Sequence, residues 1–200
     1  MTRIIAGGAG SIPLEVPDAG TRPTSERVRE SLIGALESAG AIAGSAVLDL
    51  YAGSGALGLE CLSRGATSAD LVEKAPKAAA VATRNARRVA KAMDGVMALV
   101  HRSSSDAFLR GTSQRFDLVF LDPPYDLPDA ELTETLALVA GVLSADADVV
   151  IERATRSGEP TLPPGLRWQR SRRHGDTTIW WARPEPAGES DQPLPASQSA

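Results

Sequence analysis

Hydrophobic and polar positions along this 200-residue chain follow two rhythms that take turns. Short apolar runs, "AVLDLYA" (46–52), "SADLVEK" (68–74), "VMALVHR" (96–102), "FDLVFL" (116–121) and "ADVVIER" (147–153), predict strands, and the continuous run Leu118–Leu121 is of the kind buried on both faces. Between them lie stretches with helical spacing: "ALGLECLSRG" (56–65), closed by Gly65, "PKAAAVATRNARRVAKAM" (76–93), opened by Pro76, and "DAELTETLALVAGVL" (129–143). "SSDAFLRG" (104–111) predicts a short helix or loop. Upstream, Thr24 or Ser25 is a natural N-cap for a helix whose apolar face carries Val28, Leu32, Ile33 and Leu36, with Gly40 as its stop. The end of the chain changes rhythm. "GLRWQRSRRHGDTTIWWAR" (165–183) predicts two strands joined by a turn near His174, Gly175 and Asp176. Five strands alternating with helices, followed by a hairpin, predict an α/β doubly wound, mostly parallel sheet with antiparallel strands at its end. The expected organisation is an N-terminal arm (1–23) with a short hairpin, one folded domain (24–183) and a disordered Pro/Ser-rich tail (184–200).

Composition narrows this picture only a little. Apolar residues make up 42% and charged residues 23%, ordinary for a globular domain with a full core. No membrane span or signal pattern is apparent, and the single cysteine, Cys61, excludes an intrachain disulfide, so a reduced cytoplasmic setting is expected. Cys61 sits between Leu59 and Leu62 and is expected to be a small packed side chain. The net charge of −4 argues against a protein that coats nucleic acid. Glu185, Glu189 and Asp191 of the tail account for most of it, however, and leave a body with two basic groups. One is Arg84, Arg87, Arg88 and Lys91, expected on a solvated face. The other is Arg153, Arg156, Arg167, Arg170, Arg172 and Arg173, dense enough to face phosphates.

Two stretches carry chemistry. "LDLYAGSGALGLE" places Gly53, Gly55 and Gly58 as G-x-G-x-x-G between a strand and a helix, where glycines let a ligand approach the backbone and the helix start. Glu73 ends the next strand, where a carboxylate can accept both ribose hydroxyls of a nucleoside. NAD and S-adenosylmethionine both need such a loop and acid. Asp49, just ahead of the loop, disfavours a pyrophosphate and suits the amino group of a methionine tail. The second stretch is "DPPY". Strand order places Asp122–Tyr125 beside Gly53–Gly55 at the carboxyl ends of the strands. The Asp122 carboxylate and the stiffened Pro123 carbonyl are two acceptors for the N–H groups of an exocyclic amine, which favour a pyramidal nitrogen with its lone pair aimed at a methyl. Tyr125 can stack on the base. A hydride-transfer enzyme using the same glycine loop would need a proton relay, which His101 and His174 do not suggest; both are expected to be incidental surface residues. A non-catalytic RNA-binding assembly factor would not need Asp122 and Tyr125.

"RIIAG", "RPTSERVRESL", "LDLYAGSGALGLECLSRGA", "VEK" and "DPPY" together resemble the ribosomal small-subunit methyltransferase D family, from Arg3 to about Ala182. The resemblance implies a Rossmann-like class I methyltransferase with a seven-stranded sheet. It implies methylation of N2 of a guanine (position 966) in 16S rRNA, with adenine-N6 methylation as the alternative that DPPY alone allows. S-adenosyl-L-methionine would lie at Gly53, Ser54, Gly55 and Glu73, beside the Asp49 contact read above, with its adenine near Ser105 and Asp106 and its methionine end near Thr24 and Ser25. Asp122, Pro123 and Tyr125 would hold the target amine. Beyond the resemblance, Pro124, Arg3, Arg22, Arg170, Arg172 and Arg173 of this chain are expected to meet the RNA. No metal is implied, and the expected state is a monomer acting on the 30S subunit, where ribosomal proteins add contacts. One departure concerns the arm: a K/R-G-K/R pattern usual in the family is Ala9, Gly10 and Ser11 here.

Overall fold

The computed structural model describes residues 2–17, 26–93 and 95–186. A two-residue hairpin, β1 (Thr2–Arg3) and β2 (Pro13–Leu14), precedes α1 (Glu26–Ser38). There follow β3 (Ala46–Leu50), α2 (Ala56–Ser63), β4 (Ser68–Val72), α3 (Pro76–Ala92), β5 (Met97–His101), α4 (Ser105–Gly111), β6 (Phe116–Leu121), α5 (Asp129–Ala140), β7 (Leu143–Ala154), β8 (Leu166–His174) and β9 (Thr177–Pro184). The seven long strands form one sheet in the order β5-β4-β3-β6-β7-β9-β8. β3, β4, β5, β6 and β7 run parallel, and β9 lies antiparallel between β7 and β8. The strand order reverses between β3 and β6, the position where open α/β sheets bind ligands.

Each face of the sheet has its own core. On one, Leu71, Leu118, Phe120 and Val150 meet Ile33, Leu36, Leu59 and Leu62 of α1 and α2. On the other, Leu48, Leu50, Val119, Leu121 and Ile151 meet Leu132, Leu136 and Val139 of α5. The continuous apolar runs of the central strands follow from this double coverage. Helix α3 starts at Pro76, which needs no N–H partner there, and buries Ala79, Ala82, Ala86 and Val89. Strand β7 begins four residues earlier than the alternation predicts, because α5 ends at Ala140 and Leu143 pairs with Phe116 across a bulge.

The arm folds back onto this body. Ile4, Ala9 and Leu14 are buried in the same core as α1 and α2. Its backbone is held by two charged side chains that are themselves buried. Glu60 on α2 accepts from Ile5 N–H at 2.8 Å and Ala6 N–H at 3.1 Å, and Arg29 on α1 donates to the Arg3 carbonyl at 2.6 Å. Burial pushes the Arg29 guanidinium down, and the negative charge of Glu60 opposes that shift. Ser63 joins the clamp: its hydroxyl accepts from Ala9 N–H and donates to the Ala6 carbonyl. The position where the family pattern has a basic residue, Ala9, therefore faces the core, while Ser11 is exposed in a left-handed conformation (φ 71°).

Candidate active site

Register builds the site. Leu50 pairs with Val72 on one side and with Leu121 on the other, and Leu121 pairs with Ile151. The next residue of each strand forms a row along the carboxyl edge: Glu73, Tyr51, Asp122 and Glu152. Glu73 and Asp122 are thus two strand spacings apart, roughly 10 Å, with the glycine loop springing from between them. The sheet brings together Gly53, Ser54, Gly55, Glu73, Asp122, Pro123 and Tyr125, as the strand order predicts.

The loop is shaped by several constraints. Gly53 (φ 56°) and Gly55 (φ 78°) both have left-handed backbones, and Gly55 N–H donates to the Ala52 carbonyl at 2.7 Å. A β-carbon on Gly55 would meet Leu71 at 2.8 Å, whereas the space around Gly53 is open. Glu73 accepts from Gly53 N–H at 2.9 Å and from Ala75 N–H at 2.7 Å, so its carboxylate is oriented toward the loop. Tyr51 has φ 63°, a costly conformation for a bulky residue, at the junction of strand and loop next to Asp122.

Asp49 does not face the loop's open side. It is 2% exposed and turns beneath α2, where its carboxylate accepts from Gly58 N–H at 3.0 Å. Through that oxygen it fastens the first turn of α2 to β3. Burial pushes its pKa from 3.8 up to about 7; the Gly58 hydrogen bond pulls down, and the charge of Glu73 adds to the rise. Between these two values the folded chain keeps a proton that the unfolded chain has released. This contribution to stability is therefore full below about pH 4 and is lost as pH rises to about 7. Asp49→Asn, which keeps an acceptor for Gly58, is expected to flatten that fall. The variant should gain on the order of 2 kcal/mol relative to the parent between pH 5 and pH 8, read from urea midpoints.

The DPPY loop is a turn closed by Leu127 N–H donating to the Pro124 carbonyl at 3.0 Å. Arg153, on β7 and 5% exposed, donates to the Leu127 carbonyl at 3.0 Å from behind. Arg153 was expected among phosphate-facing residues; it is instead a buried support for this turn. Asp122 is half-buried, Pro123 buried, and Pro124 and Tyr125 exposed. A rigid loop with a partly shielded acid and an exposed ring can hold a planar amine-bearing base against the glycine loop.

Other expected residues are placed as follows. Ser105 is buried at the start of α4, and Asp106 accepts from the Thr135 hydroxyl at 2.9 Å, which commits one of its oxygens to α5. Arg170 lies over the Trp181 ring at 4.5 Å. Arg172 and Arg173 are exposed on β8, the sheet's edge. Arg172 pairs with Ile179, which pairs with Glu152, so Arg172 stands on the same row as Asp122. The Arg3 side chain is exposed on the arm. Arg22, Thr24 and Ser25 lie outside the described residues, as does 187–200 of the tail. Arg84 and Arg88 are not simply solvated: both pair with Glu15, at 2.7 and 2.9 Å, and hold its carboxyl below the usual range. His101 is not incidental either, since it bonds the buried Asp70 at 2.6 Å. His174 is half-buried at the end of β8, where burial and the nearby Arg172 push its pKa down. Cys61 is buried and its thiol is pushed up by burial, as a packed side chain should be. Sequence reasoning missed Glu60, Arg29, Asn85 and Tyr51. Only Glu60 left a signal, as a lone charge inside the apolar run "ALGLECL".

The sheet order, the glycine loop after its first long strand and the acid after the second define a class I methyltransferase fold. A magnesium protoporphyrin IX methyltransferase from Synechocystis with bound S-adenosylmethionine has this fold at 17% identity (TM-score 0.64). Residues 2–183 match the family described as Conserved hypothetical protein 95. The chain is 36% identical over 190 residues, 94% of its length and 93% of the relative's, to ribosomal RNA small subunit methyltransferase D of Escherichia coli K12. It is 34% identical to the protein of that name from Haemophilus influenzae, over 81% of this chain and 82% of the relative. Among solved structures, the yhhF protein from Escherichia coli superposes with TM-score 0.78 at 32% identity, covering 92% of this chain and 97% of that one. The chain belongs to the ribosomal small-subunit methyltransferase D family.

Proposed function

We propose that this chain transfers a methyl group from S-adenosyl-L-methionine to the exocyclic N2 of a guanine in 16S rRNA, the guanine-966 type of reaction. The observation that carries the reading is the row along the carboxyl edge. It sets Glu73, the glycine loop and the DPPY turn side by side over two strand spacings. The relatives' names support rRNA as the substrate.

The residues fit the cofactor. The open side of Gly53 admits a ligand to the backbone, and Glu73 faces it with a carboxylate that can accept ribose hydroxyls. The cofactor supplies an electrophilic methyl on a sulfonium centre. The chain does the rest by position and electrostatics. The Asp122 carboxylate and the Pro123 carbonyl accept from the amine's N–H groups and draw its lone pair out of conjugation with the ring. Tyr125 stacks on the base, worth roughly 1–3 kcal/mol in nucleic-acid sites. The nitrogen would carry positive charge as its new C–N bond forms and the methyl's bond to sulfur breaks; the Asp122 carboxylate stabilises that charge, and the nitrogen then releases one N–H proton to water. Arg172 and Arg173, on the DPPY side of the edge strand, meet phosphates flanking the target, with Arg3, Arg22 and Arg170 as further contacts.

The test is methylation in vitro, with 30S particles and naked 16S rRNA from cells lacking this activity, followed by mass spectrometry of nucleosides. N2-methylguanosine is the expected product, and N6-methyladenosine would overturn the choice of base. The arm carries little positive charge of its own, so faster turnover on 30S particles is expected; equal rates on both substrates would refute that preference.

A further inference from the structure

Asn85 lies in the middle of α3 and is fully buried. Its side chain reaches two segments that are far apart in sequence. The amide nitrogen donates to the Glu15 carbonyl and to the Ser54 carbonyl, both at 2.9 Å, and the amide oxygen accepts from Glu15 N–H at 2.9 Å. Both amide hydrogens and one acceptor site are thus used, and every partner is backbone. Glu15 belongs to the segment that leaves β2, and its carboxylate is gripped by Arg84 and Arg88 from the same helix. Ser54 is the residue between the two left-handed glycines of the loop.

We infer that Asn85 is a positioning residue that couples the seating of the N-terminal segment to the shape of the cofactor loop. The physical reasoning is one of shared partners. One rigid amide plane fixes the direction of the Ser54 carbonyl, and hence the peptide planes that Gly53 and Gly55 present to a ligand. The same plane is held in place by two hydrogen bonds to Glu15. Displacing Glu15 releases the amide and leaves the Ser54 carbonyl without this donor. Conversely, a ligand that holds the glycine loop holds Asn85 in the orientation that Glu15 requires. By linkage, whatever orders one segment must favour the other by the same factor. An RNA that docks on the arm would therefore raise affinity for the cofactor, and bound cofactor would prepare the arm for RNA. This inference rests on the glycine loop being the cofactor site.

The experiment uses the full chain with S-adenosylhomocysteine as probe. Calorimetry gives its dissociation constant, and limited thermolysin digestion follows cleavage of the arm at Leu14 and Val16, on either side of Glu15, with and without it. In the parent protein, S-adenosylhomocysteine is expected to slow arm cleavage severalfold. Asn85→Asp keeps the size and the acceptor but sets a carboxyl against two carbonyls. It is expected to weaken binding about tenfold and to abolish ligand-dependent protection of the arm. Binding and protection that match the parent, with only thermal stability lowered, would reduce Asn85 to a structural residue and overturn the inference. If that variant does not fold, the parent decides: equal cleavage rates with and without ligand refute the coupling. Glu73→Ala separates the two claims. Normal binding in Glu73→Ala removes the cofactor-site reading itself, whereas lost binding there with normal binding in Asn85→Asp refutes only the coupling.

Discussion

Asp122→Ala is expected to lower the rate of methyl transfer by roughly 10²–10³-fold while leaving S-adenosylhomocysteine affinity within about threefold of the parent. The split follows from position. Asp122 stands at the mouth of β6, one strand from the glycine loop and two from Glu73. On the proposed mechanism its loss removes the charged acceptor for the amine and leaves the glycine loop and Glu73 in place. Asp122→Asn keeps an oxygen acceptor without the charge and should retain an intermediate rate. Single-turnover transfer of a labelled methyl to 30S particles reads the rate, and calorimetry reads the affinity. Undiminished methylation by Asp122→Ala would end the proposed mechanism. A parallel loss of cofactor binding would move Asp122 from the amine to the cofactor.

The largest expected effect on stability comes from a residue far from the chemistry. Gly7→Ala should cost about 3 kcal/mol or more and lower the melting temperature by about 6–12 °C. A β-carbon at Gly7 would sit 1.9 Å from the Ser63 carbonyl oxygen and 2.4 Å from its carbon, and the backbone there has φ 83°. Both atoms belong to the helix backbone, so no side chain can swing away. The arm must lift, and Gly8 N–H then loses its 2.7 Å bond to the same carbonyl. Glu60 loses the two arm N–H groups that compensate its burial, which leaves a buried carboxylate held by Arg64 alone among the contacts described. Gly34→Ala is the control. That glycine is inside α1 with nothing within 4 Å of a new β-carbon, so the change should be neutral or stabilising by up to about 1 kcal/mol. Thermal melts of the three proteins suffice. Equal melting temperatures for Gly7→Ala and the parent would mean that the arm does not pack as described.

The two variants mark the boundary between what could be read from the chain and what could not. Asp122 was legible because an acid, two prolines and an aromatic ring are an odd way to end an apolar strand. Its neighbourhood was legible because a doubly wound order puts that strand beside the glycine loop. Gly7 was only one glycine in an arm. Its necessity comes from the close approach to α2, and a close approach between segments 56 residues apart leaves no local pattern. The same holds for Asn85, which reads as a polar residue in an amphipathic helix until Glu15 and Ser54 are found on its amide.

Local signals by themselves determined the alternation of strands and helices, the terminal hairpin, the glycine loop with its acid and the DPPY turn. These depend on periodicity and turn chemistry, which act over a few residues. Tertiary structure alone decided which charges are structural. Asp49 went beneath α2, Arg153 behind the DPPY turn, Arg84 and Arg88 to Glu15, and Glu60 and Arg29 to the arm. A charged side chain reads as surface or as site in sequence. Whether it is buried against backbone groups depends on long-range packing, because only there does the cost of desolvation meet the partners that offset it.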